Sequence, residues 1–104
     1  MLIRETFLNQ TKGHTIGESD WYEPWTDDIG KLFLAMQREY GRCVSKMYID
    51  RGSESVAVGW VFAKRMEYED YRGRGDRYYV REVWVHLADR VETAREVVTD
   101  HVLN

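Results

Sequence analysis

The stretch SVAVGWVFAKRMEY at residues 55–68 is the most regular part of the sequence and largely determines the predicted fold. Successive side chains of an extended chain point to opposite faces, so this pattern separates bulky from small residues. The bulky set is Val56, Val58, Trp60 and Phe62, and the smaller set is Ala57, Gly59, Val61 and Ala63. The pattern predicts a strand, and a helix packed on the small face would explain the asymmetry.

Two neighbouring segments extend this strand into a sheet. Residues 43–50 and 77–87 also read as strands, and residues 2–8 alternate loosely enough to form another. The turn RGSE at 51–54 and the glycine-containing loop YRGRG at 71–75 reverse the chain between them. Short reversals of this kind join antiparallel neighbours, so an antiparallel meander is expected.

The best predicted helix covers residues 27–40, where apolar residues recur at the spacing of one helical face. Those residues are Ile29, Leu32, Phe33, Met36 and Tyr40. Thr26 is a candidate N-cap and Gly41 a C-terminal stop. Near the end of the chain, Asp89 followed by Glu92 resembles a capping box, which predicts a short C-terminal helix.

The predicted fold is therefore α+β, an antiparallel three- to four-stranded sheet with the helix at 27–40 on one face and a short C-terminal helix. A chain of 104 residues has the usual length of one domain, so residues 1–104 are expected to form a single unit. Residues 9–26 show little periodicity and are predicted to be a long irregular loop that contains several aromatic residues.

Charge and composition narrow the class of protein. The net charge is −3, and residues 1–30 hold two basic and six acidic side chains, whereas residues 64–81 hold six basic and four acidic. There is no apolar run of about 18 residues, so no membrane partner is expected. The single cysteine, Cys43, cannot form an intramolecular disulfide, which fits a reducing compartment. The chain is expected to be cytoplasmic.

The sequence offers no convincing catalytic or metal-binding group. The three histidines do not lie at metal-ligand spacing, and Cys43 has no evident oriented base. Three carboxylates cluster near the end of the long strand, where they read as cross-strand partners of arginines rather than as an acid–base pair. They are Glu67, Glu69 and Asp70, and the arginines are Arg77 and Arg81. We therefore expect no enzyme, no metal site and no cofactor.

The segment WYEPW at residues 21–25 places three large aromatic residues in a stretch without helix or strand periodicity. One interpretation is that Trp21, Tyr22 and Trp25 fold over an edge of the sheet as a small core. The other is that they form a protein-binding hot spot, where tryptophan and tyrosine are enriched. The sequence leaves both open.

A basic hairpin supplies an alternative function, the binding of nucleic acid. Its cations would contact phosphates, and nearby tyrosines would stack on bases. The cations are Lys64, Arg65, Arg72, Arg74, Arg77 and Arg81, and the tyrosines are Tyr71, Tyr78 and Tyr79. Glycines at a hairpin tip have a simpler cause, because tight turns need positive φ angles.

Three strings, REYGRCVSK at 38–46, VGWVFAKRMEYED at 58–70 and YVREVWV at 79–85, resemble small proteins of actinobacteriophages, especially mycobacteriophages. The resemblance implies a phage accessory protein made in the host cytoplasm, where such proteins often bind host machinery. The similar strings lie in predicted strands, so no catalytic residue is carried over.

Together these observations favour a non-enzymatic phage accessory protein that binds a host or phage protein. The hypothetical contact residues are Trp21, Tyr22, Trp25, Arg72, Arg74 and Arg77. A second copy of the chain is a further candidate partner, since an exposed edge strand can pair with its own copy.

Overall fold

A computed structural model describes residues 1–10, 13–41, 43–69, 71–73, 75, 77–96 and 98–102. Within these residues, six antiparallel strands form one sheet: β1 (Leu2–Asn9), β2 (Thr15–Glu18), β3 (Cys43–Arg51), β4 (Glu54–Glu67), β5 (Tyr78–His86) and β6 (Thr99–Val102). Their order across the sheet is β2-β1-β5-β4-β3-β6. The α+β prediction and the antiparallel arrangement are confirmed, but the sheet has more strands than expected. The long loop predicted at 9–26 contains β2.

Helix α1 (Ile29–Tyr40) is the helix predicted from the apolar spacing. It begins two residues later than expected because Asp28, rather than Thr26, is the N-cap and accepts a hydrogen bond from the Lys31 backbone N–H at 3.1 Å. The helix ends at Gly41, whose φ of 84° suits a residue without a Cβ atom.

The C-terminal helix is shorter than predicted. Helix α2 (Val91–Ala94) is a single turn, and Thr99–Val102 instead form β6 beside β3. The predicted capping residue Asp89 binds the N-terminal amine of Met1 at 3.2 Å, and Arg90 is the N-cap. The valine-rich end of the chain satisfies backbone groups of β3 rather than continuing a helix.

Helix α1 packs on the bulky face of β4, which corrects the prediction that it would pack on the small face. The ring of Phe33 lies edge-on to Trp60 and Phe62, with centroid distances of 4.9 and 5.1 Å. We call this side of the sheet the helix face. Its buried residues are Ile3, Leu32, Met36, Tyr40, Phe62, Val83 and Val85.

The opposite side, which we call the tryptophan face, has its own core. Its buried residues are Leu2, Trp21, Met47, Val61 and Ala94. The small side chains of β4 on this side leave room for the indole of Trp21, so this loop residue takes the place expected for a helix.

A β-bulge in β4 explains why Val58 departs from the predicted alternation. Met47 pairs with Gly59 and Tyr48 with Ala57, so Val58 is an extra residue and packs on the tryptophan face. Gly59 sits at a close approach of two strands, because a Cβ atom there would lie 1.9 Å from the carbonyl oxygen of Val85.

Candidate functional site

The three aromatic side chains of the segment at 21–25 differ in how far they are exposed to solvent. Ile3 and Tyr22 exchange two backbone hydrogen bonds of 2.9 Å, so the segment runs extended beside β1. Extended backbone alternates its side chains. Trp21 accordingly enters the tryptophan face and is 5% exposed, while Tyr22 is 41% exposed and Trp25 is 68% exposed.

Trp21 is therefore a core residue rather than an exposed anchor. Its ring stands edge-on to the imidazole of His86, and the guanidinium of Arg4 lies between the rings of Trp21 and Trp84, at 4.8 and 4.6 Å. Arg4 also contacts Glu18 of β2 at 3.2 Å, which ties the edge strand to this core. Of the three aromatic residues, only Tyr22 and Trp25 are exposed enough to be partner contacts.

Several of the basic residues proposed for nucleic acid are already paired within the chain. Arg77 donates to a Glu67 carboxylate oxygen at 2.7 Å, and Arg81 bridges Glu5 and Glu39. Such pairs offset the positive charge that phosphate binding requires. The expected pairing of Glu67 with Arg77 is present.

The remaining basic residues are scattered. Lys64 lies 5.6 Å from the centre of the Tyr40 ring, and Arg65 lies over Tyr78 at 4.3 Å. Arg72 is exposed, while Arg74 and the carboxylate residue Asp70 lie outside the described residues. Among the residues that the structure describes, the cations of the hairpin therefore do not form a continuous row of free charges.

A concave surface lies elsewhere, on the part of the helix face that α1 leaves uncovered. We call it the aromatic groove, and its volume is about 450 Å³. It is lined by Phe7, Ile16, Gly17, Met66, Glu67, Tyr68, Glu69 and Tyr79. Residues from four strands or their ends thus converge on one apolar depression with carboxylates at its rim.

The position of the groove follows from the lengths of the elements. Phe7, Tyr79 and Met66 share the helix face with the core but lie farther along their strands. Helix α1 ends at Tyr40, whose ring lies 5.6 Å from both the Lys64 amine and the Arg81 guanidinium. The strands continue beyond this charged pair, so their apolar side chains extend past the cover that the helix provides.

The rings in the groove pack against one another. The centroids of Phe7 and Tyr79 are 6.0 Å apart and those of Tyr68 and Tyr79 are 4.8 Å apart, both in tilted arrangements. Ile16, on the edge strand β2, is 55% exposed. A Cβ atom on the neighbouring Gly17 would lie 3.5 Å from the Phe7 ring, so this glycine keeps the groove open beside β2.

Tyr22 lies on the same face as the groove. It pairs with Ile3, which precedes Phe7 by four residues on β1, a separation of roughly 13 Å along a strand. Burial, together with the nearby Glu5 carboxylate, raises the pKa of Tyr22. Because Tyr22 and the groove lie this close on one face, one partner of modest size can reach both.

Cys43 and the candidate metal ligands were the residues with the most obvious catalytic chemistry. Burial raises the pKa of the Cys43 thiol, which donates to the carbonyl oxygens of Ser45 and Val61, so the thiolate is disfavoured. Within the described part of the chain, no group of three or more histidine, cysteine or carboxylate side chains is placed to hold a metal ion. In the same residues, no helix is long and apolar enough to cross a membrane.

The sequence interpretation missed the groove as a site. The strands offered one clue to it. Each strand carries an apolar side chain on the helix face beyond the length that a 12-residue helix covers, and these side chains are Phe7, Met66 and Tyr79. Comparison with protein-family models, curated proteins and solved structures found no significant match to this chain.

Proposed function

We propose that this protein is a non-enzymatic accessory protein of an actinobacteriophage that binds a host or phage protein in the host cytoplasm. The aromatic groove is the proposed contact surface, with Tyr22 beside it. The observation that carries the proposal is an apolar depression of about 450 Å³ on the part of the helix face that α1 leaves uncovered.

The groove has the properties of a protein-binding site. Its rings are held by strands and by one another, so little side-chain freedom is lost when a partner covers them. Tyrosine and other aromatic residues are enriched among residues that contribute most to binding energy. Exposed apolar side chains such as Ile16 would be shielded from water by the same contact.

A protein partner is favoured over nucleic acid by the charge near the groove. Its lining contains the carboxylates Glu67 and Glu69 and no lysine or arginine among the described residues. Phosphate groups would be repelled there. At this end of the sheet, Arg77 is engaged by Glu67, and Arg81 is engaged by Glu5 and Glu39.

Site-directed photocrosslinking in infected host cells tests the proposal. A photoreactive amino acid is placed at Ile16, on the groove, or at Val56, which is 41% exposed on β4 and serves as the matched control. We expect a host or phage protein to crosslink from position 16 and not from position 56. The captured protein is then purified, and its affinity for the unmodified chain is measured.

Gly17→Leu provides the specificity control, because the added side chain would fill the groove without removing any side chain that lines it. We expect this variant to weaken binding of the purified partner by about tenfold or more. Equal crosslinking from both positions, nuclease-sensitive crosslinks, or unchanged affinity of Gly17→Leu would each contradict the proposal. A crosslink only to a second copy would assign the groove to self-association instead.

A further inference from the structure

We infer that the aromatic groove receives the cationic side chain of an extended, lysine-containing segment of the partner. This inference rests on the proposed function and specifies the chemistry that the groove recognises. The evidence lies in aromatic rings on which no described lysine or arginine is stacked, in the carboxylates of the lining and in the edge strand beside them.

Elsewhere in the chain, aromatic rings are repeatedly covered by the chain's own cations. Lys64 and Arg81 flank Tyr40, Arg65 lies 4.3 Å from Tyr78, and Arg77 lies 5.7 Å from Tyr71. A cation is attracted to the negative face of an aromatic ring within about 6 Å. The protein thus uses this interaction at the same end of the sheet as the groove.

The groove rings differ from these neighbours. In the described part of the chain, no lysine or arginine is stacked on Phe7, Tyr68 or Tyr79. The Tyr79 ring packs against both Phe7 and Tyr68, and all three residues line one depression, so their electron-rich π systems are gathered at one concave surface. A cation supplied by another molecule could stack on these rings, as the chain's own cations stack on the neighbouring tyrosines.

The carboxylates of the lining add charge complementarity. Glu67 is held by Arg77 at 2.7 Å, while Glu69 is exposed at the rim. Since the lining holds no basic residue among those described, a partner's ammonium group would meet attraction from the rings and from Glu69. An aliphatic lysine stem would meanwhile cover Ile16 and Met66, as long cationic side chains commonly do on apolar surfaces.

The edge strand indicates how the segment would bind. β2 is the outermost strand on this side, and an edge strand presents backbone groups that can pair with an added strand. Gly17 lies within β2 and on the groove, so a strand added to this edge passes directly beside the rings. Side chains of such a strand alternate, and one on the groove side would enter it.

The test uses the full chain and three acetylated, amidated pentapeptides of alternating threonine and valine, with lysine, norleucine or glutamate at the centre. Amide chemical shifts of the isotope-labelled protein are followed by nuclear magnetic resonance during titration. We expect the lysine peptide to bind at least about fivefold more tightly than the norleucine peptide, with shifts at Gly17 and Tyr79, and the glutamate peptide to bind worst. The preference for lysine should shrink at high salt.

Two variants distinguish the sources of the preference. Glu69→Gln should reduce the advantage of lysine over norleucine, while Gly17→Leu should abolish binding of both peptides. Equal binding of lysine and norleucine would overturn the inference while leaving an apolar protein-binding groove in place. Absence of binding by all three peptides would also overturn it, and the crosslinking experiment would then decide the proposed function independently.

Discussion

The ring of Trp21 stands edge-on to the imidazole of His86, with their centres 5.4 Å apart and their planes at 86°. This contact joins the segment at 21–25, for which the sequence left a core role and a binding role open, to the last residue of β5. Trp21, one of the three proposed contact residues, therefore covers the buried imidazole of His86. The protonation of His86 therefore depends on whether the segment at 21–25 is packed against it.

We predict that His86 makes folding stability depend on pH. Burial lowers the pKa of His86, and its Nδ1 atom accepts a hydrogen bond from the Ala88 backbone N–H at 2.9 Å. The proton of the neutral ring is thus on Nε2, which is buried without a hydrogen-bond partner in the described structure. Above about pH 7.5, roughly one unit above the ordinary histidine pKa, almost no molecules of the folded or the unfolded state are protonated at this residue, so its contribution is nearly constant.

Below that pH the unfolded state takes up a proton before the folded state does, so stability falls with a slope of at most about 1.4 kcal/mol per pH unit. Urea unfolding at pH 7.5 and 5.5 measures this effect. His86→Asn keeps an acceptor side chain but cannot titrate, so its stability should change less between the two pH values. An identical pH response in both proteins would show that His86 is not responsible.

Trp21→Ala and Trp25→Ala should have very different effects on stability. Trp21 is buried in the tryptophan face, so its truncation should cost about 3–5 kcal/mol of unfolding free energy. Trp25 is mostly exposed, so its truncation should change stability by no more than about 0.5 kcal/mol. Denaturant midpoints of the two variants provide the measurement. Similar losses in both would contradict the assignment of these residues to core and surface.

Two glycines of the sheet, Gly59 on β4 and Gly17 on β2, give a matched comparison. In Gly59→Ala the new methyl group would meet the Val85 carbonyl oxygen, so the strands must separate at a cost of at least about 1–3 kcal/mol. In Gly17→Ala the nearest atom is a Phe7 ring carbon at an ordinary 3.5 Å, so stability should be unchanged or slightly higher. Thermal unfolding measures both, and equal midpoints would be inconsistent with the close strand approach at Gly59.

The sequence allowed the central strands and α1 to be predicted because each has a strong local period. The pattern at 55–68 predicted β4, although the bulge at Val58 and the side on which α1 packs depend on tertiary contacts. β2 and β6 are only four residues long, and such short edge strands form by pairing with β1 and β3 rather than through their own propensity. Local periodicity therefore could not reveal them.

The groove was missed in the sequence for a related reason. Phe7, Met66 and Tyr79 lie far apart in the sequence, and only the strand register brings them together. Their exposure also depends on where α1 ends relative to the strands. The expected contacts at Trp21, Tyr22 and Trp25 were chosen by residue type, whereas the extended path beside Ile3 sends Trp21 and Tyr22 to opposite faces.

Carboxylates of the chain offset much of the positive charge that nucleic-acid binding would need. We expect no binding of a single-stranded RNA oligonucleotide at physiological salt by fluorescence anisotropy, since Arg77 and Arg81 are paired with carboxylates. A Glu39→Gln and Glu67→Gln double variant would free part of that positive charge, so it should gain weak binding at low salt that disappears as salt is raised. Alanine at both Arg72 and Arg77 should have no effect on the wild-type result. Tight, salt-sensitive binding by the unmodified chain that these alanine substitutions abolish would instead favour the basic hairpin as the functional surface.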